Sequence, residues 1–191
     1  MQSKITMPFI KKPTKDELAA AKDKTVPDII APGLKVLFCG INPSLYTAAV
    51  GHNFARPGNR FWPTLHAAGF TPSLYLAQED QALLEIGYGI TNVVDRATAS
   101  AAELSKPELE AGGVNLTAKV MAYKPQVLAL LGISAYRIAF GDKKASLGLQ
   151  QKAIGDTKLW VLPNPSGLNA HFPPKELARV YKELYDYLSI G

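Results

Sequence analysis

The sequence has one cysteine, three scattered histidines and no long apolar run. A single cysteine excludes an internal disulfide, and the apolar surroundings of Cys39 indicate a buried, unreactive thiol. His52, His66 and His171 lack the spacing of metal ligands, so no metal site is predicted. No stretch approaches the roughly 20 apolar residues of a membrane span, and no signal peptide is recognisable. We therefore expect no membrane contact and a cytoplasmic, nucleoid-associated location.

Common phosphate-binding and nucleophile motifs are missing too. No G-x-G-x-x-G follows the first predicted strand and no P-loop is present, which disfavours dinucleotide and nucleoside triphosphate chemistry. The stretch NPSG at 164–167 is not a nucleophile elbow, so Ser166 is a weak nucleophile candidate.

The positive charge is unevenly distributed. The chain carries a net charge of +5, and the first 27 residues hold six lysines against three acidic residues. We interpret residues 1–27 as a lysine-rich appendage with a helix over 14–24, capped by Thr14 with Glu17 three residues on. A solvated tail is the favoured interpretation, and a tail that tethers a polyanion by counterion release is the alternative. The nearly neutral remainder, residues 28–191, is predicted to be one domain.

Within that domain, short apolar runs alternate with helical patterns, which predicts an α/β fold whose mostly parallel sheet has helices on both faces. The turn IGDTKL should lead into the last strand. The predicted strands are Lys35–Gly40, Gly89–Val94, Gln126–Gly132 and Leu159–Pro163. The predicted helices are Arg60–Ala68, Glu79–Ile86, Lys106–Ala122, Ser134–Phe140 and Lys175–Leu188.

Polar residues follow three of these strands. Asn42, Asp95 and Asn164 each stand just after a predicted strand. Ligands of open α/β sheets bind beyond the carboxyl ends of the strands. If the strands are parallel, these three side chains should converge on one rim.

Two loops carry apolar residues whose role the pattern leaves open. Phe54 lies among turn formers in GHNFARPGNRFW, where it is either a core residue or a stacking platform for a base. Asn59 is a candidate cap for the helix that follows, and Phe61 and Trp62 are expected in the core. In NPSGLN, Leu168 either packs beneath its own loop or is exposed as a wedge that enters a base stack.

In combination, four motifs are distinctive. GINPS, FARPGNRFW, VVDR and LPNPSGL occur in this order over about 130 residues. Together they resemble the mismatch-specific uracil-DNA glycosylases, the Mug and thymine-DNA glycosylase family. The resemblance runs from about Asp28 to the C-terminus and does not include the lysine-rich segment.

The resemblance implies a three-layer α/β/α sandwich around a short, mostly parallel sheet, and a monofunctional glycosylase without metal or cofactor. We also expect the protein to be a monomer. The resemblance further implies that Asn42 positions the attacking water and that Phe54 stacks on a flipped base. The backbone around Ile41 and Phe54 would read the base edge, next to Ser44. In the last motif, Asn164 and Ser166 would support the pocket. Gly167, Leu168 and Asn169 would contact DNA, with Leu168 as the wedge.

Departures from the family pattern occur at four positions. Ser44 stands where relatives usually have glycine, and Tyr46 follows it, so the two side chains are expected to narrow or rearrange the pocket and to change which bases it accepts. Ala170 replaces an arginine of Mug-type members, which predicts weaker reading of the opposite guanine. Asn92 stands where those members often have lysine. Asp95 is then either a second catalytic group or a structural carboxylate that pairs with Arg96 or caps a helix.

The sequence therefore predicts a glycosylase that excises uracil, mispaired with guanine, from double-stranded DNA, with other damaged pyrimidines such as ethenocytosine as further substrates. One alternative is a non-catalytic reader of damaged DNA on the same fold. A more distant alternative is a flavodoxin-like nucleotide-binding protein.

Overall fold

A computed structural model describes residues 10–190, which contain one five-stranded sheet. The strand order is β2-β1-β3-β5-β4, with β2, β1, β3 and β5 parallel and β4 antiparallel at one edge. The strands are β1 (Val36–Gly40), β2 (Tyr88–Asn92), β3 (Val127–Leu131), β4 (Gly148–Ile154) and β5 (Thr157–Leu162). The four predicted strands are thus confirmed, and so is the turn into β5.

The central strands are buried on both faces, as their continuous apolar sequences predict. In β1, Val36 and Phe38 point into one hydrophobic cluster, while Leu37 and Cys39 point into the other. This alternation follows from the two-residue period of a strand. Each face of the sheet therefore needs its own layer of helices.

Helices supply both layers. Residues of α3 and α6 pack on one face of the sheet, and residues of α4 and α5 pack on the other. The helices are α1 (Lys15–Ala20), α2 (Leu45–Val50), α3 (Phe61–Ala68), α4 (Lys106–Tyr123), α5 (Ile133–Ala139) and α6 (Pro174–Ile190). The predicted three-layer arrangement is confirmed.

Three elements differ from the expectation. The predicted helix Glu79–Ile86 is a 3-10 helix, Ala77–Ile86. Helix α2 was not predicted, because only six residues separate its cap, Ser44, from Gly51. Strand β4 was not predicted because it is an exposed edge strand, with the polar run Gln150–Lys152 in place of an apolar one.

The end of the N-terminal segment is packed onto the domain, although no residue of helix α1 itself is buried. Helix α1 begins as predicted, with a reciprocal capping box between Thr14 and Glu17. Ala21 and Val26 are buried, so the interpretation as a solvated tail is wrong for residues 21–26. Residues 1–9, including Lys4, lie outside the described residues.

Candidate functional site

A polar cavity of about 310 Å³ lies beyond the carboxyl ends of β1, β2 and β5. It brings together the three sequence motifs that contain Asn42, Phe54 and Asn164, as the parallel sheet predicts. From the expected site, its lining includes Ile41, Asn42, Ser44, Phe54, Asn164, Ser166 and Leu168. A larger cavity of about 800 Å³ lies near the amino ends of β3 and β5, and none of the expected site residues lines it.

The side chain of Asn42 is held in one orientation. Its Nδ2 donates to the carbonyl of Arg96 at 3.0 Å and to Oγ1 of Thr98 at 2.8 Å. The carbonyl of Arg96 can only accept. The Thr98 hydroxyl donates its proton to the carbonyl of Ser100 at 2.8 Å, so it too acts as an acceptor towards Asn42. The nitrogen of the amide must therefore face the 96–98 loop. Its oxygen is left as the polar atom available to the cavity.

Phe54 presents a ring to the cavity from a strained backbone. Its φ of +55° lies in the left-handed region that non-glycine residues rarely adopt. The ring stacks on buried Phe61, with centroids 4.0 Å apart and an interplanar angle of 22°. One face of Phe54 is thus supported by the core, and the opposite face is available for a planar ligand.

The loop around Phe54 is anchored on both sides. Asn53 N–H donates to the buried carboxylate of Asp80 at 3.1 Å, and Trp62 Nε1 donates to Asn53 O at 3.2 Å. The N-cap of α3 is Arg60 rather than the predicted Asn59, but Asn59 Oδ1 accepts from the first N–H of the helix, that of Phe61, at 2.9 Å. These bonds fix the strained conformation.

Backbone donors and a further amide complete the inner wall. Within residues 10–190, the N–H groups of Ile41 and Phe54 donate no hydrogen bond to another protein group. Asn92, at the end of β2, lines the same cavity. A Cβ at Gly40 would lie 2.5 Å from Asn92 Oδ1 and 3.4 Å from the Phe54 ring. Only a glycine at position 40 lets both side chains approach the end of β1.

Ser44 has a structural role that its position in the cavity does not reveal. It is the N-cap of α2, and its Oγ accepts from Thr47 N–H at 3.1 Å. A glycine would leave that N–H without its cap, so this departure from the family pattern stabilises the short helix.

The 164–170 loop forms the outer wall and is tied together by its own side chains. Asn164 Oδ1 accepts from Ser166 N–H at 2.9 Å, and Asn169 Nδ2 donates to Asn164 O at 3.0 Å. Asn169 therefore braces the loop in the structure, beside its expected contact with DNA. Its own N–H donates to Ser166 O at 3.0 Å.

Arg60 clamps this loop to the start of α3, a role that the sequence did not predict. Its guanidinium donates to the carbonyls of Phe172 and Ser166, at 2.6 Å each, and of Asn169 at 3.0 Å. Gly167 completes the clamp, because a Cβ there would lie 2.5 Å from the carbonyl oxygen of Gly58. The only sequence signal was an arginine flanked by turn formers and aromatic residues.

Leu168 projects from the clamped loop into solvent. Its side chain is 80% exposed, in contrast to the buried alternative. It borders both the polar cavity and a smaller cleft formed with Arg56 and Gly58. An apolar side chain held out by a fixed backbone fits the expected wedge.

Asp95 is not brought into the polar cavity. It is exposed and lines a separate depression with Glu108 and Lys119. The expected structural pairing with Arg96 is also not present, because that guanidinium contacts Asp23 and Glu108 instead. Asn42 lines the polar cavity, whereas Asp95 lies outside it.

Two features are absent from the described part of the chain. Residues 10–190 contain no group of three or more histidine, cysteine or carboxylate side chains placed to hold a metal ion. Over the same residues, no helix combines the length and the apolar character that crossing a bilayer requires. The expected absence of a cofactor stays a prediction.

Comparison with known proteins agrees with this arrangement. The family model of the Uracil DNA glycosylase superfamily matches residues 27–185. The chain belongs to this superfamily. The match does not favour the flavodoxin-like alternative, and it includes both walls of the polar cavity.

A solved structure has a similar fold. It is the solution NMR structure of a Methanosarcina acetivorans protein described as a candidate uracil DNA glycosylase. The TM-score is 0.55 at 18% sequence identity, over 85% of this chain and 98% of that chain. At this identity the similarity concerns the fold alone.

Proposed function

We propose that this protein is a monofunctional DNA glycosylase of the mismatch-specific type. It removes uracil mispaired with guanine from double-stranded DNA by base flipping and hydrolysis of the N-glycosidic bond, and so initiates base excision repair. Ethenocytosine and similar damaged pyrimidines are further substrates. The observation that carries the proposal is the Asn42 amide, whose nitrogen is fixed on the 96–98 loop and whose oxygen is left to the cavity.

The cavity fits a base that has left the duplex. A stacked base is unreachable, and extruding it costs a few kcal/mol, less when the base is mispaired. Phe54 offers a supported ring face on which uracil can stack. Leu168, exposed at the tip of its loop, fills the space that the base vacates.

The chemistry needs orientation more than a strong base. The oxygen of Asn42 accepts a hydrogen bond from one water. This bond directs a lone pair of the water oxygen at C1′ of the deoxyribose. A C–O bond forms there, the C1′–N1 bond breaks, and the electron pair departs with uracil. The proton of the water passes to solvent or to the uracil anion. The N–H groups of Ile41 and Phe54, which donate to no protein group within residues 10–190, stabilise that anion, as preorganised backbone donors do elsewhere.

Asn42 rather than Asp95 is proposed as the principal catalytic side chain. An amide is a poor base, so the rate relies on placing the water and on the leaving group. Asp95 lies outside the cavity, and we assign it at most an electrostatic contribution to the sugar cation. Asn164 and Ser166 shape the pocket, and Gly167, Leu168 and Asn169 approach the DNA.

A panel of labelled oligonucleotides tests the proposal. Duplexes carry uracil, thymine or ethenocytosine opposite guanine, uracil opposite adenine, or uracil in a single strand. Released base is measured by mass spectrometry, and abasic sites by alkaline cleavage, with the Asn42→Ala variant as a control. We expect the fastest release for uracil opposite guanine. Tight duplex binding without base release would instead support the alternative, a non-catalytic reader of damaged DNA.

A further inference from the structure

The loop that holds the Asn42 amide is itself held by the N-terminal segment. Ala97 N–H donates to Lys24 O at 2.8 Å, and Asp23 N–H donates to Ala97 O at 3.0 Å. Ala97 is fully buried. Water therefore cannot readily replace these two reciprocal bonds, and losing one would leave a buried backbone group unpaired.

The side chain of Arg96 adds a second attachment. Its Nη1 lies 2.9 Å from Asp23 Oδ1, and its Nε lies 2.6 Å from Glu108 Oε1. The carbonyl of the same residue accepts from Asn42 Nδ2. The ion pairs at one end of Arg96 thus fix the acceptor at the other end.

Glu108 anchors the cluster to α4. Its Oε2 accepts from the N–H and the hydroxyl of Ser105, both at 2.9 Å, in a capping box. The hydrogen bond from Arg96, followed by those from Ser105, lowers the pKa of Glu108 to about 2. Because the pKa is lowered on folding, the stabilising interaction is present above the ordinary carboxyl range and is lost only as the pH falls towards 2.

Asp23 is the member of the cluster contributed by the N-terminal segment. Its φ of +60° lies in the left-handed region, which aspartate and asparagine tolerate better than most residues. This one residue directs its N–H to Ala97 and its carboxylate to Arg96. Both of its contacts are with the 96–98 loop.

We propose that residues 14–24 form an N-terminal brace that positions Asn42, with Asp23 and Arg96 acting as positioning residues through the 96–98 loop. Both acceptors of the amide, Arg96 O and Thr98 Oγ1, belong to this loop. A shift of the loop therefore rotates the amide and misdirects the attacking water. Where activity is the readout, the inference rests on the proposed function.

A charge-matched pair of variants tests the brace. Asp23→Asn keeps a residue that tolerates positive φ but removes the charge that faces Arg96. Glu110→Gln is the control, because Glu110 forms an exposed ion pair with Lys106 on α4. Each variant raises the net charge by one, so electrostatic attraction to DNA changes in the same direction. The measurements are the single-turnover excision rate and the Kd for the duplex.

We expect Asp23→Asn to lower the rate about tenfold, within the roughly 100-fold that a 1 Å misplacement can cost, while its Kd equals that of Glu110→Gln. The excision rate of Glu110→Gln should match the wild-type rate. In an Asn42→Ala background, Asp23→Asn should cause no further loss, because the positioned group is already gone. Equal rates for the two charge variants, or the same tenfold loss in both backgrounds, would overturn the brace.

A readout without turnover separates the brace from the proposed reaction. Hydrogen exchange of the Asn42 side-chain NH₂, followed by NMR, should be slow in the wild type and in Glu110→Gln. It should be faster in Asp23→Asn and in Arg96→Lys, which keeps the charge but cannot span both carboxylates. Equal protection in all four proteins refutes the brace. Protection that is lost in Asp23→Asn and Arg96→Lys, in a protein that releases no base, supports the brace and refutes the proposed enzyme.

Discussion

The wall of the cavity that carries Asn42 differs from the wall that carries Leu168 in how its key side chain is held. Asn42 uses both protons of its amide on the 96–98 loop. Leu168 has a fixed backbone, through Arg60 and Gly167, but a side chain that is 80% exposed. A group that orients water needs a single position, whereas a group that enters a base stack must remain accessible. On the proposed function, the Asn42 wall serves the chemistry and the Leu168 wall serves the deformation of DNA.

The largest effect is expected from the Asn42 wall. Asn42→Ala removes the group that we propose to orient the water and should reduce the single-turnover rate by on the order of 100-fold or more. Binding should be nearly unchanged, because Phe54 and Leu168 keep their contacts. Single-turnover rates on uracil opposite guanine and the duplex Kd measure the two effects, with Tm as a control for folding. A similar loss of affinity and rate would place Asn42 in binding instead.

The Leu168 wall should respond to the form of the substrate. Leu168→Ala removes the apolar wedge, so excision from duplex DNA should fall by about tenfold, equivalent to 1.4 kcal/mol. Excision from a single strand should change little, because no stack has to be filled. Comparing the two rates within one variant cancels any general loss of activity. Equal losses on both substrates would show that Leu168 has only a structural role.

A substitution of Arg60 tests whether Leu168 needs a fixed 164–170 loop to act on duplex DNA. Arg60→Lys keeps the charge but cannot reach three carbonyls in a fixed fork, so the 164–170 loop should loosen. We expect a loss of a few-fold on duplex uracil, smaller than for Leu168→Ala, and a lower Tm. Arg179→Lys serves as the control, since Arg179 forms only exposed ion pairs on α6. A duplex rate equal to that of this control would separate the clamp from wedge function.

The smallest effect is expected from Asp95. It is exposed and outside the polar cavity, so Asp95→Ala should keep more than half of the wild-type single-turnover rate. The ratio to Asn42→Ala measures how the catalytic contribution is divided. A folded Asp95→Ala protein as slow as Asn42→Ala would restore Asp95 to a catalytic role.

Much of the fold could be predicted because buried parallel strands have continuous apolar sequences. The positions of Asn42 and Asn164 followed from the same reasoning, since each stands directly after such a strand. Edge strand β4 gave no such signal, because Gln151 and Lys152 are exposed and its pairing with β5 is what orders it.

The supporting contacts of the site could not be predicted. Thr98 meets Asn42 across 56 positions of sequence, and the path of the backbone after β2 carries Asp95 away from the cavity. Arg60 donates its hydrogen bonds to backbone carbonyls. Every residue has a carbonyl, so the identity of the residues does not reveal which of them accept. In the sequence, Asp23 is one of several charged residues in a lysine-rich segment and looks solvent-exposed. Only the fold shows that it pairs with Arg96.

The burial of Cys39 makes it simple to attach a label to the tip of the 164–170 loop. The thiol is fully buried beneath the end of β1, and burial raises its pKa well above the ordinary value. A thiol-directed fluorophore or spin label should therefore not react with the native fold. A Leu168→Cys variant would then accept one label at the loop tip, without first removing the natural cysteine. Label mobility with matched and mispaired duplexes would report directly whether the tip becomes immobilised inside the helix.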